Sequence, residues 1–169
     1  STASTATKTD TPVTEIPQSI QIVPYEIIKD QAAYGLDAAV RNVSGLAQSS
    51  SSNYGFFNNY LARGLNVNFL RDGVPDGLTI NGYPRTLTDI EQVEVLKGPG
   101  SALYGSGSPG GTINLVTRKP QFGPSTLLEG GYGSFETRRV LLDTTGPLVR
   151  DTLAGRFIAS YTKSNGFRD

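Results

Sequence analysis

EQVEVLKGPGSALYGSGSPGGTINLVTRKP, residues 91–120, sets two strand-like runs on either side of a stretch rich in glycine and proline. From Ile90 to Leu96 the residues alternate, Val93 and Val95 on one face and Glu94 on the other. That is the period of a half-buried strand, with the acidic face expected in solvent. Gly98-Pro99-Gly100 stops it, 101–104 is expected to form one helical turn, and a β-branched run, 112–117, gives the next strand. Gly105, Gly107 and Gly110 have the GxGxxG spacing of a dinucleotide loop. Such a loop must open a helix whose N-terminus meets the pyrophosphate. Here Pro109 and Gly111 interrupt and a strand follows, so the glycines are expected to serve tight turns and close backbone approach. No GK[ST] follows any of the glycine loops, which removes Walker-type phosphate binding.

Upstream, the first 11 residues are Ser/Thr/Ala-rich and read as a flexible segment. Ile20 and Ile22 alternate with polar neighbours and end at Pro24, a short strand, and 25–31 reads as a short helix. Leu36, Ala39, Val40 and Val43 share one face of a 3.6-residue period that Gly45 terminates. Residues 48–53 are polar and read as a loop, followed by the aromatics Tyr54, Phe56, Phe57 and Tyr60. Residues 60–65 and 69–74 read as short strands, with Asp72-Gly73 a turn signal, and 78–85 as another loop.

Beyond Pro120 the pattern changes to three longer strands, 125–132, 136–145 and 152–162, joined by a tight Gly133-Ser134 turn and a longer connection over 146–151. Their length suits a tilted strand crossing a bilayer. In the third, Leu153, Phe157, Ala159 and Tyr161 share one face with Gly155, while Arg156, Ser160 and Thr162 share the other, interrupted by Ile158. Lipid on one side and a polar lumen on the other would select that dyad; so would an antiparallel sheet over a soluble core.

Composition narrows the chemistry. The 169 residues carry 15 Lys/Arg and 15 Asp/Glu, a neutral balance that argues against nucleic acid. Residues 1–117 hold 7 basic and 10 acidic side chains and residues 118–169 hold 8 and 5, as two segments in different surroundings would. Cys and His are absent, so no disulfide framework, thiolate catalysis or side-chain transition-metal site is expected. Ser101 beside Lys97 is a poor catalytic dyad, Glu91 and Glu94 a solvated pair, and Asn42-Val43-Ser44 a chance sequon. No run of about 18 apolar residues offers a transmembrane helix. With Ser at position 1, the chain is expected to be part of something longer.

Residues 91–120 resemble the signature "VEVLKGP…LYG…PGG.INLVTK.P" of TonB-dependent outer-membrane receptors. ATKTDTPVTEIPQSIQIV, residues 6–23, is similar to the opening strand of their plug domain in the siderophore branch. Residues 33–46 resemble the plug helix, with Ser44 where the family has proline, and 61–64 and 70–74 its "IRG" and "LRDGV" elements. GGYGSFETRRVLLDTTGPL, residues 130–148, is similar to the first barrel hairpin.

The resemblance implies an α+β fold: a plug with a small mixed sheet and short helices over 12–120, then the first three antiparallel strands of a transmembrane barrel over 121–169. About 22 wall strands are expected of such a barrel. It implies import of a ferric siderophore without bond-making chemistry, with no cofactor bound directly and iron carried only inside the siderophore. Cobalamin or a glycan is the alternative cargo, and a soluble binding module or nucleotide enzyme the outsider. The implied partners are the siderophore, the barrel wall and outer-membrane lipid, and TonB, through a box expected upstream of Ser1. The implied location is the bacterial outer membrane, the plug's lower side facing the periplasm. By family alignment three upper loops, 48–56, 65–69 and 78–85, face the ligand. Their candidates are Tyr54, Phe56 and Tyr83 as flat contacts, Asn66, Asn68 and Asn81 as hydrogen-bonding amides, and Arg85 as an attractor of negative charge. Arg63 and Lys97 occupy positions where plug cations meet glutamates of the wall. They are expected side by side, without an acidic partner from residues 1–120.

Overall fold

The computed structural model describes residues 2–3, 11–12, 19–49, 59–77, 85–98 and 109–165. The chain divides into two compact units, Ser1–Thr117 and Arg118–Asp169. That division falls three residues before the expected 120/121 boundary, for a reason given below.

In the first unit β1 (Thr2–Ala3) and β2 (Thr11–Pro12) form a small antiparallel pair. The main sheet has the order β3-β8-β9-β6-β5-β4, with β7 (Val74–Pro75) paired to β6. Its strands are β3 (Ser19–Pro24), β4 (Leu46–Ser49), β5 (Asn59–Ala62), β6 (Leu65–Arg71), β8 (Ile90–Lys97) and β9 (Gly111–Thr117). Among the described strands only β6 and β9 pair in parallel, which makes the sheet mixed. Two short helices follow β3: α1 (Tyr25–Asp30), capped by Pro24, and α2 (Leu36–Ala39). The helical period read from Leu36, Ala39, Val40 and Val43 does bury all four. Yet the helix itself ends at Ala39 and the rest is a turn closed by Gly45 at φ 71°.

The two faces of the sheet differ in chemistry. Val23, Val67, Phe69, Val93, Val95, Ile113 and Leu115 join Ile28 and the α2 residues in one apolar core, each burial favouring the fold by about 1.5–3 kcal/mol. On the opposite face Glu94, Thr112 and Asn114 are also buried, with Leu70 and Leu96. The expectation that Glu94 faces solvent is therefore corrected. β8 is flanked by strands on both edges and covered on both faces, so alternation there reports polarity rather than exposure. Gln92 Nε2 donates to Glu94 Oε1 at 2.7 Å. Across the ladder Asn114 pairs in register with Glu94, and its Oδ1 accepts from Gly73 N at 3.1 Å.

Two tight turns shape the sheet's far side. Arg63-Gly64 and Asp72-Gly73 both have positive φ at each central residue, 54° and 80°, 49° and 79°, the geometry that joins twisted antiparallel strands. The second is fixed to β9: the Asp72 carboxylate accepts from Thr117 N at 3.0 Å and Thr117 Oγ1 at 2.6 Å. At Gly111, φ is 135° and a Cβ would stand 2.1 Å from the Leu96 carbonyl oxygen. At Gly110 it would stand 2.3 Å from that of Leu65. Close approach of three strands, not a phosphate, explains these glycines.

The second unit is an antiparallel sheet of β10 (Ser125–Gly133), β11 (Thr137–Val149) and β12 (Leu153–Lys163). β11 extends four residues past the expected end, so the 146–151 connection shrinks to a turn at 150–152. Register places Val140 opposite Tyr161, Thr144 opposite Phe157 and Leu128 opposite Leu142 on one face. Leu128, Tyr132, Val140, Phe157 and Tyr161 are exposed there. The other face carries Leu141, Asp143 and Thr145, all buried.

Candidate functional site

Three groupings of polar side chains stand out from the scaffold. The first lies in the second unit. Asp143 Oδ1 and Oδ2 accept from Arg156 Nε and Nη2 at 2.7 and 2.6 Å, and Oδ2 also accepts from Arg118 Nη1 at 2.6 Å. The side chains of Arg118 and Asp143 are 5% and 4% exposed. Arg156 Nη1 further donates to the Lys119 carbonyl at 3.0 Å, and Gln121 N donates to Thr145 Oγ1 at 2.8 Å. Residues 118–121 thus lie strapped along the polar face of the three strands. This is why the division between the units falls before Arg118: the strap is held by β11 and β12, and pattern reading had no means of assigning an extended segment to them.

The second grouping is a stack in the first unit. Arg85 lies 3.8 Å over the Phe69 ring, whose other neighbour, Tyr60, meets it edge-on at 5.9 Å between centroids. Arg85 Nε donates to Asp76 Oδ2 at 3.0 Å and Nη2 to the Asp76 carbonyl. Arg85 is 2% exposed, and its guanidinium meets Asp76 and Phe69. The Tyr60 hydroxyl is buried without a hydrogen-bond partner among the described residues. Burial, then the negative charge of Asp37, push the phenol well above its usual value. Tyr60 lines a cavity of about 270 Å³ with the described residues Asp37, Val40, Arg41, Leu46 and Gln48, its hydroxyl lying out of reach of that space.

The third grouping holds the two expected cations. Lys97 Nζ donates to Ser44 Oγ at 2.9 Å and Gln21 Oε1 at 3.2 Å. Arg63 N donates to the Gly45 carbonyl at 3.3 Å while its side chain is exposed. Both residues therefore meet the same turn at 44–45. No ion pair among the described residues involves either one.

Of the other candidates, Tyr54, Phe56, Asn81 and Tyr83 lie outside the described residues. Asn66 and Asn68 are described, and they sit in strand β6 rather than in the loop expected over 65–69. Asn66 is exposed and its carbonyl accepts from Gly110 N at 3.2 Å, whereas Asn68 is half-buried opposite Thr112. Strand β4 lies where a loop was expected at 48–49; its short polar run Ala47-Gln48-Ser49 carries no apolar alternation to mark it. Among the described residues no cluster of three or more carboxylate side chains offers a metal site.

The family model named TonB-dependent Receptor Plug Domain matches residues 12–112, more than half of the chain. The chain belongs to the TonB-dependent receptors. It is 38% identical over 171 residues to the metal-pseudopaline receptor CntO of Pseudomonas aeruginosa UCBPP-PA14, covering 99% of this chain and 24% of that protein. The ferripyoverdine receptor of P. aeruginosa PAO1 is 37% identical, again over 99% of this chain, and 21% of that receptor is covered. Among solved structures, the pyoverdine outer membrane receptor FpvA from P. aeruginosa PAO1, bound to pyoverdine, superposes with a TM-score of 0.87. It shares 34% identity over 99% of this chain and 25% of its own. The alcaligin outer-membrane receptor FauA of Bordetella pertussis gives 0.84 at 26% identity, over 97% of this chain and 29% of its own. The chain thus spans about a quarter of the length of its relatives. The plug match, residues 12–112, falls within the first unit, and the mixed sheet with short helices there matches the plug domains of the family. These relatives are receptors rather than enzymes, and outer-membrane proteins by family.

Proposed function

We propose that this chain is the channel-closing, ligand-sensing part of an outer-membrane receptor that imports ferric siderophores at the expense of work delivered by TonB. The similarity to the ferripyoverdine receptor carries the reading, because it runs through plug and strands alike, over 99% of the chain. The architecture supports it. The strands of the second unit carry an apolar exposed face suited to lipid and a polar face holding the strap, the dyad of an outer-membrane wall. In the plug, Arg63 and Lys97 carry charge that no described acid neutralises, which suits partners on the wall. Ligand contact is assigned to Tyr54, Phe56, Asn81 and Tyr83 with Asn66, and the iron enters only inside its chelator. TonB engages the receptor from the periplasm, which the plug's lower side faces.

One observation favours a second reading: identity is as high, 38%, to a metal-pseudopaline receptor, a name that specifies a metal chelate without specifying iron. Titrating the purified receptor with ferripyoverdine, ferrioxamine B and the zinc-loaded forms of the same chelators separates the two. Saturable, tight binding of a ferric complex supports iron import. Binding only of the zinc complexes would select the second reading.

A further inference from the structure

The exposed face of the three-stranded sheet ends in charge. Register lines up Tyr132, Arg138 and Lys163 in one row across β10, β11 and β12, with Tyr161 in the next row, opposite Val140. All of these side chains are exposed. Behind them the same face runs on through Leu128, Leu142, Ala159 and Phe157. Like charges directly opposite on one sheet face repel, and Arg138 stands directly opposite Lys163. No ion pair among the described residues involves either one. Glu129 and Asp143 belong to the other face, and Glu136, in the turn, accepts from Asn165 Nδ2 at 3.0 Å. Among the described residues, two adjacent cations thus border an apolar surface with no acid on their face.

We infer that Arg138 and Lys163, with Tyr132 and Tyr161 beside them, bind the phosphomonoester headgroup of a membrane lipid whose acyl chains lie along Leu128, Leu142 and Phe157. Charge selects the headgroup. A phosphomonoester carries about −1.5 to −2 near neutral pH, which two cations match; a phosphodiester, with a single charge, leaves one cation over. The Arg fork takes two phosphate oxygens and the Lys supplies a point charge. Tyrosines suit the same depth, their rings toward the chains and their hydroxyls toward the headgroups. A free anion gains little from so exposed a pair, whereas a lipid adds the burial of its chains against the apolar face. The site rests on the reading of these strands as membrane wall, and it is independent of which chelate the receptor takes.

The test titrates the full receptor in detergent with phosphatidic acid, a phosphomonoester, and with phosphatidylglycerol, a phosphodiester, and reads bound lipid by native mass spectrometry. The native receptor is compared with Arg138→Gln, Lys163→Gln and the double variant. The expected result is a preference for phosphatidic acid that the double variant loses, its affinity for that lipid lowered roughly tenfold. Melting of the lipid-free receptor should hold or rise in each single variant, because the repulsion is relieved. Equal affinity for the two lipids, or equal affinity of native and double variant, overturns the site. Displacement of the lipid by equimolar inorganic phosphate also overturns it, by showing a site for a free anion. So does lowered melting of the lipid-free variants, which would give the cations an acid on a neighbouring wall strand as partner. A receptor that fails to insert into phosphatidylcholine vesicles refutes the wall reading itself, an outcome distinct from loss of the preference.

Discussion

Replacing Asp143 by Asn leaves two guanidinium groups facing one neutral amide. In the native chain that carboxylate accepts three side-chain hydrogen bonds of 2.6–2.7 Å, two of them from the fork of Arg156. Its side chain and that of Arg118 are almost fully withdrawn from water, and that of Arg156 is 16% exposed. Removing one partner of a buried pair typically costs about 3–5 kcal/mol, because the remaining charge stays desolvated. Asn retains some hydrogen bonding, so the lower end, about 3 kcal/mol, is expected. At about 1.4 kcal/mol per tenfold, the strap should open roughly a hundred times more often. Amide hydrogen exchange at 118–121 and 141–145, in detergent-solubilised receptor, reads this directly. Removing all three charges together, as Arg118→Met, Asp143→Leu and Arg156→Met, should recover most of the loss. Exchange in Asp143→Asn within a factor of two of native would refute the reasoning, and would place the cluster with solvent-screened surface pairs worth little.

Gly111→Ala puts a Cβ 2.1 Å from the Leu96 carbonyl at a φ of 135°, whereas Gly45→Ala meets open space at φ 71°. The first should cost upwards of about 3 kcal/mol and the second about 1, a difference visible in thermal unfolding. Arg85→Met removes the Asp76 pair and the cation over Phe69, and should lower receptor stability by about 2–4 kcal/mol; if it instead weakens only siderophore binding, Arg85 was a ligand contact after all. Charge reversal to Arg63→Glu with Lys97→Glu should loosen the plug in the full receptor, seen as increased passive leak of bulky solutes, and a leak equal to native would speak against wall partners. The strands β10–β12 alone keep unpaired outer edges and should not enter bilayers; protease protection of that fragment in vesicles would contradict the wall reading.

Much of this architecture was legible because local chemistry and fold agree. The two strands around the glycine stretch, Gly110 as a point of close approach, and the alternating faces of β12 all follow from periodicity and the φ freedom of glycine. Polarity reads Glu94 as exposed, but the covered sheet withdraws it and Gln92 donates to it. Family alignment places residues 65–69 in a loop, but they lie in strand β6, whose residues from Val67 on pair with β9. The arginine triad was invisible, since Arg118, Asp143 and Arg156 are spread over 39 positions and no local pattern joins them. Tyr60 read as one aromatic in a crowd. Only the ladder with Gln48 and the edge of Phe69 show it packed inside the fold.

Energised uptake is the most direct test of iron import. Cells lacking their other siderophore receptors and expressing the full receptor are given radioactive iron as ferripyoverdine or ferrioxamine B, with and without functional TonB. The account requires accumulation of iron from at least one complex, abolished when TonB is absent, with binding at the cell surface preserved. Accumulation that continues without TonB, or uptake of zinc from the same chelators with none of iron, would contradict it.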